Sequence, residues 1–202
     1  MKTQLSQQKG LRLPAEWEEQ SAVMLTWPHA ESDWKPYLAD ICQTYVELAE
    51  AITRYEHLVV AAKHPEEVAQ QLAHLDQDKV HIYSIDSNDT WARDHGPVTL
   101  IDTEGGELHL LDFRFNGWGE KFKADKDNLI SRQLHAAGGL KGQITDHNDF
   151  VLEGGSIETD GRGTLFTTAQ CLLAPHRNQP LDEKDIEVIL KKRLHKIGRA
   201  HV

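Results

Sequence analysis

The stretch NDTWARDHGP at residues 88–97 combines carboxylates, an indole and a cation in a short length of chain. Asp94 can accept a forked pair of hydrogen bonds from a guanidinium, and Trp91 can supply a flat apolar wall beside the bound cation. The simpler alternative is that Asp94 caps a turn and pairs with Arg93. The stretch is therefore a candidate binding site for a small cationic group.

Apolar stretches on either side predict the elements that must position this site. Residues 80–85 alternate as a half-buried strand does, and residues 98–101 are apolar and β-branched. The polar residues between them end in a Gly-Pro turn. We therefore expect them at a strand-to-strand junction, where side chains converge on a cavity.

The first part of the chain predicts alternating strands and helices. Residues 22–27 and 58–62 are short apolar stretches, which are typical of buried strands. Between them, apolar residues recur at steps of three and four over residues 34–55, which predicts an amphipathic helix. Pro65 is expected to open another short helix.

Two hairpins follow the candidate site. Strands at 98–101 and 107–113 flank a glycine turn. About 60 residues further on, residues 150–159 lead through a glycine turn at 160–163 into residues 164–168, again as an apolar strand, a polar-glycine junction and a hairpin. A helix over residues 127–137, closed by two glycines, is predicted between them. The spacing predicts a degenerate structural repeat.

This repeat gives two carboxylates corresponding places in the chain. Asp94 lies at the junction before the first hairpin, and Glu153 lies at the junction before the second. If the two units are structurally equivalent, both acids occupy the same point of their unit. We therefore expect Asp94 and Glu153 to face one axis.

Composition sets limits on the class of protein. The 202 residues suffice for one domain with a sizeable core, or for part of a larger one. The net charge of −10 argues against a nucleic-acid partner and against an anionic membrane surface. Only two cysteines are present, and the N-terminal residues form no apolar targeting segment. We expect a soluble, cytoplasmic protein.

Four motifs resemble those of the agmatine deiminase and bacterial peptidylarginine deiminase family, which belongs to the guanidine-modifying pentein superfamily. They are WARDHGP at 91–97, DFRFNGWG at 112–119, VLEGGS at 151–156 and TAQCLL at 168–173. The resemblance extends in order from about residue 11 to residue 194. It implies an α/β propeller of five ββαβ-type units around a central channel, of which this chain would hold roughly the first two to three.

The resemblance also implies a chemistry. Members of the family hydrolyse a guanidine to a ureido group and ammonia, as in the conversion of agmatine to N-carbamoylputrescine for putrescine biosynthesis. Carboxylates hold the guanidinium while a cysteine thiolate attacks its central carbon and a histidine transfers protons. No metal or organic cofactor is implied. The expected partner is a small guanidine substrate, and the resemblance leaves open a homodimer of the full-length enzyme.

The resemblance assigns roles to particular residues. Asp94 and Glu153 are the predicted catalytic acids, and Asp94, Trp91, Arg93 and Trp118 are the predicted substrate-binding residues. For Glu153 an alternative remains, because a buried glutamate that ties loops together would give the same sequence pattern.

The chain departs from the family pattern in one respect. The catalytic histidine and a second aspartate of the family come from a His-x-Asp motif in the next unit, and its cysteine lies near the end of a longer chain. The motif His147-Asn148-Asp149 precedes Glu153 and is predicted to lie in a solvated loop. Cys42 and Cys171 are expected to be packed thiols. We therefore expect this chain to be inactive alone.

These observations define the expected domain and the alternatives. Residues 1–195 would form the N-terminal part of a single pentein domain, and residues 196–202 an artefactual or truncated tail. A peptidylarginine or free-arginine deiminase is an alternative enzyme, and a non-catalytic guanidinium-binding module is an alternative of another class. A metal hydrolase is less favoured, because no histidine pair at helical ligand spacing lies beside a glutamate.

Overall fold

A computed structural model describes residues 10–195 of the protein. Nine strands in this part of the chain form three sheets of four, three and two strands. A short first strand, β1 (Leu11–Arg12), joins the largest sheet. None of the helices within residues 10–195 has the length and apolar character that crossing a bilayer requires.

The three-stranded sheet is parallel and lies in the first half of the chain. It contains β2 (Ala22–Thr26), β3 (His57–Ala62) and β4 (Val80–Ser84), with β3 in the centre. Helix α1 (Leu38–Thr53) connects β2 to β3, and α2 (Pro65–Gln71) connects β3 to β4. The predicted strands and helices of this region are confirmed, although residues 35–37 form a 3-10 turn ahead of α1.

The central strand β3 is apolar along nearly its whole length because both of its faces are covered. Leu58 and Val60 pack with residues of α1 and α2 in one apolar cluster. Val59 and Ala61 face the opposite side and belong to a second cluster with Ile130. Packing on both faces of this sheet therefore fixes the position of β4, and the candidate site begins after that strand.

The four-stranded sheet contains a complete ββαβ unit. A one-turn helix, α3 (Ala92–His95), leads from β4 into β5 (Val98–Asp102), which forms an antiparallel hairpin with β6 (Leu108–Arg114). A single turn, α4 (Gly117–Glu120), follows β6.

The unit is completed by a helical crossover. A 3-10 turn (Asp127–Leu129) leads into α5 (Ile130–Ala136), which returns the chain to β7 (Gln143–Val151). Strand β7 pairs parallel with β6, and the sheet has the order β1-β5-β6-β7. The predicted hairpin and helix are confirmed.

The prediction of a solvated loop at His147-Asn148-Asp149 is wrong, because these residues belong to β7. Nδ2 of Asn148 donates to the main-chain oxygen of Asp112 at 2.9 Å, and the ring of His147 stacks on Phe113. The register with β6 shifts at this point. An edge strand can carry such a polar sequence because side-chain contacts hold it in place while much of it stays exposed.

A second unit follows with the same order of elements. Strands β8 (Ile157–Thr159) and β9 (Leu165–Thr167) form an antiparallel hairpin. The one-turn helix α6 (Ala169–Leu172) and helix α7 (Glu183–Arg193) come next. Within residues 10–195, no strand follows α7 to pair with β9. The repeat predicted from the sequence is thus present, with its second unit described as far as the helix.

The two units share one apolar core. Leu111 and Phe113 of the first unit pack in the same cluster as Leu165 of the second and Ile186 and Leu190 of α7. The junctions that carry Asp94 and Glu153 therefore lie on elements whose relative position is fixed by packing.

Candidate functional site

Asp94 lies on α3, and each of its carboxylate oxygens already accepts one hydrogen bond. The main-chain nitrogen of Gly155 donates to Oδ1 at 3.1 Å, and the indole nitrogen of Trp118 donates to Oδ2 at 3.2 Å. An ionised carboxylate has about four acceptor positions. Each oxygen therefore keeps acceptor capacity, which suits a forked donor such as a guanidinium.

Trp118, which bonds this carboxylate, belongs to an aromatic cluster formed by Trp91, Phe115, Trp118 and Phe122. The ring of Trp91, 45% exposed, meets Trp118 edge-on with 5.6 Å between ring centroids. Trp118 makes further edge-on contacts with Phe115 and Phe122. The indole nitrogen of Trp91 donates to Oδ2 of Asp89 at 3.1 Å, which orients the ring. An acid with apolar walls can bind a ligand that is cationic at one end and apolar along its length.

The turn that carries Trp118 is left-handed. Trp118 and Glu120 have φ values of 59° and 63°, and Gly117 and Gly119 have φ values of 67° and 80°. Such geometry costs about 1–2 kcal/mol for each residue with a side chain, so the surroundings must enforce it. A methyl group on Gly117 would overlap the main-chain oxygen of Phe122. The two glycines thus permit a strained turn that brings the Trp118 indole to Asp94.

A reciprocal pair of side chains holds the loop before Trp91. Oδ1 of Asp127 accepts hydrogen bonds from the main-chain nitrogens of Asn88 and Asp89, at 2.6 Å and 3.3 Å. Oδ1 of Asn88 accepts in return from the main-chain nitrogens of Lys126 and Asp127, at 2.8 Å and 3.2 Å. The sequence did not single out Asp127. Its 3-10 turn is therefore tied directly to the candidate site.

His95, the last residue of α3, anchors this helix to the three-stranded sheet. It is 3% exposed, and its Nε2 lies 3.0 Å from the hydroxyl of Thr26 on β2. Its main-chain oxygen accepts a hydrogen bond from the hydroxyl of Ser131 at 3.0 Å. Burial lowers the pKa of His95 to about 4, so the ring is neutral near pH 7. A neutral, buried histidine therefore fixes the helix that presents Asp94.

Glu153 lies in the segment before β8, as Asp94 lies in the segment before β5. It is 2% exposed, and Nε of Arg177 donates to its two oxygens at 3.0 Å and 3.3 Å. This is the contact expected of a buried glutamate that ties loops together. A role for Glu153 at the substrate stays a prediction.

Arg93 lies away from the cluster formed by Asp94, Trp91 and Trp118. Its guanidinium pairs with Glu16 and, at 3.4 Å, with Glu158. It lines a separate cleft of about 550 Å³ between the N-terminal segment and β8. Among the described residues, no hydrogen bond or ion pair joins the side chains of Arg93 and Asp94, and the predicted substrate-binding role of Arg93 stays a prediction.

Comparison with known proteins shows the family. A model of the Porphyromonas-type peptidyl-arginine deiminase family matches residues 12–197. The chain belongs to this family. An agmatine deiminase of Stutzerimonas stutzeri is 36% identical over 200 residues, which cover 95% of this chain and 52% of that protein. The agmatine deiminase of Pseudomonas aeruginosa is 35% identical over 187 residues, which cover 90% of this chain and 50% of that protein.

Solved structures of the family have the same fold. The agmatine deiminase of Enterococcus faecalis superposes with a TM-score of 0.83 at 31% identity, covering 94% of this chain and 52% of that one. A putative arginine deiminase from Porphyromonas gingivalis gives 0.83 at 42% identity, covering 92% and 55%. The α/β pentein fold predicted from the sequence is confirmed. The chain spans about half the length of the curated relatives it matches.

The two cysteines lie on helices other than α3 and α4, which carry Asp94 and Trp118. Cys42 is on α1, where burial raises the pKa of its thiol. Cys171 is on α6, and its main-chain nitrogen bonds the hydroxyl of Thr168. Among residues 10–195, no three histidine, cysteine or acidic side chains are grouped so that they could hold a metal ion.

His95 is expected to make the free energy of unfolding decrease as the pH falls. Its pKa is about 4 in the folded protein and has an ordinary value of 6.5, so the unfolded chain binds the proton more readily. The stabilisation is present above pH 6.5 and is lost as pH falls through 4, by up to roughly 3 kcal/mol. In His95→Gln, the free energy of unfolding in urea should lose this dependence. Equal pH dependence of the wild type and the variant between pH 4 and 7 would contradict the prediction.

Asp127 is expected to act in the opposite direction. Burial raises its pKa from 3.8 to about 6, so the folded protein retains a proton that the unfolded chain releases. This contribution to stability is present below pH 3.8 and is lost as pH rises through 6, again by up to roughly 3 kcal/mol. Asp127→Asn keeps an acceptor for the two main-chain nitrogens and removes the charge.

The test is urea unfolding of Asp127→Asn between pH 4 and 7, with the exposed Glu104→Gln as control. The free energy of unfolding should rise with pH more steeply in Asp127→Asn than in the wild type, because the opposing contribution of Asp127 is removed. The control should follow the wild type. A variant that follows the wild type as well would show that Asp127 is ionised throughout this range.

Proposed function

We propose that the whole protein hydrolyses a guanidine to a ureido product and ammonia, and that its substrate is agmatine, which yields N-carbamoylputrescine. The observation that carries the proposal is the Asp94 carboxylate. Its two oxygens are oriented by neutral donors on Gly155 and Trp118 and keep capacity for a forked cation. The names of the Stutzerimonas stutzeri and Pseudomonas aeruginosa relatives support agmatine.

Asp94, Trp91 and Trp118 would bind the substrate together. The carboxylate orients the guanidinium, and the indole rings cover the apolar carbon chain that agmatine carries behind it. A fixed orientation exposes the central guanidinium carbon to attack and removes much of the entropic cost of the reaction. Glu153 would contribute a second acid to the site. Arg93 would act at its edge, through Glu16 and Glu158.

The chain matches about half the length of an agmatine deiminase. The groups that attack the guanidinium carbon and transfer protons are therefore proposed for the other half of the whole protein. We propose that a cysteine nucleophile, a proton-transferring histidine and a second aspartate lie beyond residue 202. Residues 1–195 would then be the N-terminal part of one pentein domain, and the 202-residue chain would be inactive alone. We also propose that the whole protein is cytoplasmic, in keeping with the free thiols of Cys42 and Cys171, and that it forms a homodimer.

The test is ammonia release by the 202-residue chain and by the product of the complete reading frame at its locus. Each is assayed with agmatine, free arginine and a peptide that contains arginine. We expect release from agmatine by the longer product alone. Faster release from arginine or from the peptide would replace agmatine with that substrate. Binding of agmatine without ammonia release by either protein would favour a guanidinium-binding module.

Cys171→Ser is expected to retain activity in the product of the complete reading frame. Cys171 lies on α6, beyond the second hairpin, and its main chain takes part in the helix cap. The change removes a thiol and keeps the size of the side chain nearly constant, so kcat should stay within about 2-fold of the wild type. A folded variant without activity would make Cys171 the nucleophile and would contradict the proposed division of the site.

A further inference from the structure

Glu153 and Arg177 form an ion pair that is almost completely shielded from water. Nε of Arg177 lies within hydrogen-bonding distance of both carboxylate oxygens, and the two side chains are only 3% and 9% exposed. Removing one partner of such a pair leaves an uncompensated buried charge. Each side chain therefore depends on the other for its place in the interior.

Arg177 belongs to the link between α6 and α7, and we call residues 174–180 the bracing segment. Asn178 fixes this segment to the end of β7. Its Oδ1 accepts from the main-chain nitrogen of Val151, and its Nδ2 donates to the main-chain oxygen of Val151, both at 2.9 Å. Val151 is close to Glu153 in the chain. The main chains around Arg177 and Glu153 are therefore held together independently of the ion pair.

The bracing segment also supports the left-handed turn α4. Nδ2 of Asn116 donates to the main-chain oxygen of His176 at 2.7 Å. A methyl group on Gly119 would lie 2.6 Å from the main-chain oxygen of Pro175 and 3.6 Å from Nη1 of Arg177. The turn thus packs directly on the bracing segment, beside the Arg177 guanidinium.

We propose that Arg177 is a positioning residue for the guanidine reaction, which fixes Glu153 directly and supports the Trp118 turn that orients Asp94. This inference rests on the proposed function. Arg177 also offsets the charge of Glu153. Asp94 accepts its two hydrogen bonds from neutral donors and keeps its negative charge for a cationic substrate.

The test uses the product of the complete reading frame and measures kcat, KM and thermal unfolding for Arg177→Lys and Arg177→Gln. Lysine keeps the charge but lacks the planar fork. The matched control is Arg193→Gln, which breaks the forked pair between Arg193 and Asp149 that anchors α7 to β7. Arg193 contacts Phe150 rather than the aromatic cluster.

We expect Arg177→Lys to lower kcat by about 10- to 100-fold, with KM changed by less than about 3-fold and the unfolding temperature nearly kept. Arg177→Gln should lose more activity, and Arg193→Gln should lose thermal stability while keeping kcat. Arg177 variants that keep wild-type kcat, or that lose kcat only as far as Arg193→Gln does, would overturn the positioning role alone. A wild-type protein that deiminates none of the three guanidines would overturn the proposed function and this inference together.

Discussion

Asp94→Asn is expected to lower kcat/KM for agmatine by about 10³-fold, with the fold retained. Asp94 accepts from Gly155 on one oxygen and from Trp118 on the other. An amide has one oxygen, so its nitrogen must face one of these two donors, and the uniform negative charge is lost. The variant therefore cannot orient a guanidinium with both side-chain atoms.

The assay is steady-state ammonia release by the product of the complete reading frame, with circular dichroism as the check on folding. Asp102→Asn is the matched control, because Asp102 is the last residue of β5, where its Oδ1 accepts a hydrogen bond from the main-chain nitrogen of Glu104. The control should keep its activity. Turnover by Asp94→Asn close to that of the wild type would exclude Asp94 as the guanidinium acceptor.

Gly155→Ala is expected to lower kcat/KM by about 100-fold, because a displacement of roughly 1 Å at a reacting group has that effect. A methyl group on Gly155 would overlap Oδ1 of Asp94 and would approach Cγ of Arg93. The carboxylate must then move away and lose its hydrogen bond from the main-chain nitrogen of Gly155. The loss should fall on catalysis, since Gly155 has an ordinary φ and lies outside the apolar core.

Gly105→Ala is the control for this change. Gly105 lies in the turn between β5 and β6, and a methyl group there would meet Oδ2 of Asp102 at 3.6 Å, an ordinary contact distance. Both variants are compared with the wild type for kcat/KM and for unfolding temperature. If Gly155→Ala and Gly105→Ala behave alike in both measurements, the close approach between Gly155 and Asp94 has no importance for activity.

The sequence predicted those parts of the fold that local periodicity determines. Apolar residues at helical spacing identified α1, and a continuous apolar stretch identified β3, because each element is covered by its neighbours along the chain. The hairpins were visible from their glycine turns. Asp94 stood out because an acid, an indole and a Gly-Pro turn are adjacent in the sequence.

Contacts between distant residues could not be predicted in this way. The pairing of Glu153 with Arg177 depends on where the link between α6 and α7 folds back, and neither residue type specifies its partner. The hydrogen bond from the main-chain nitrogen of Asn88, in the loop before Trp91, to Asp127 likewise joins two elements of different type. A local signal did exist for the left-handed turn, since Gly117 and Gly119 flank Trp118 and both require positive φ.

The polar strand β7 shows a second reason why an element could not be predicted from the sequence. Its sequence between Gln143 and Asp149 lacks a clear apolar alternation, so periodicity gave no signal for a strand where the His-x-Asp motif was assigned to a loop. The strand forms because β6 supplies main-chain pairing on one side and Arg193 pairs with Asp149. Tertiary contacts overcome weak local preference in such an edge strand.

The most direct test of the account is a crystal structure of the complete reading-frame product with agmatine or an unreactive analogue bound. We expect two guanidinium nitrogens at about 2.7–3.2 Å from Oδ1 and Oδ2 of Asp94, with the carbon chain against Trp91 and Trp118. A guanidinium bound elsewhere, for example beside Glu16 and Glu158 in the cleft lined by Arg93, would contradict the central role assigned to Asp94.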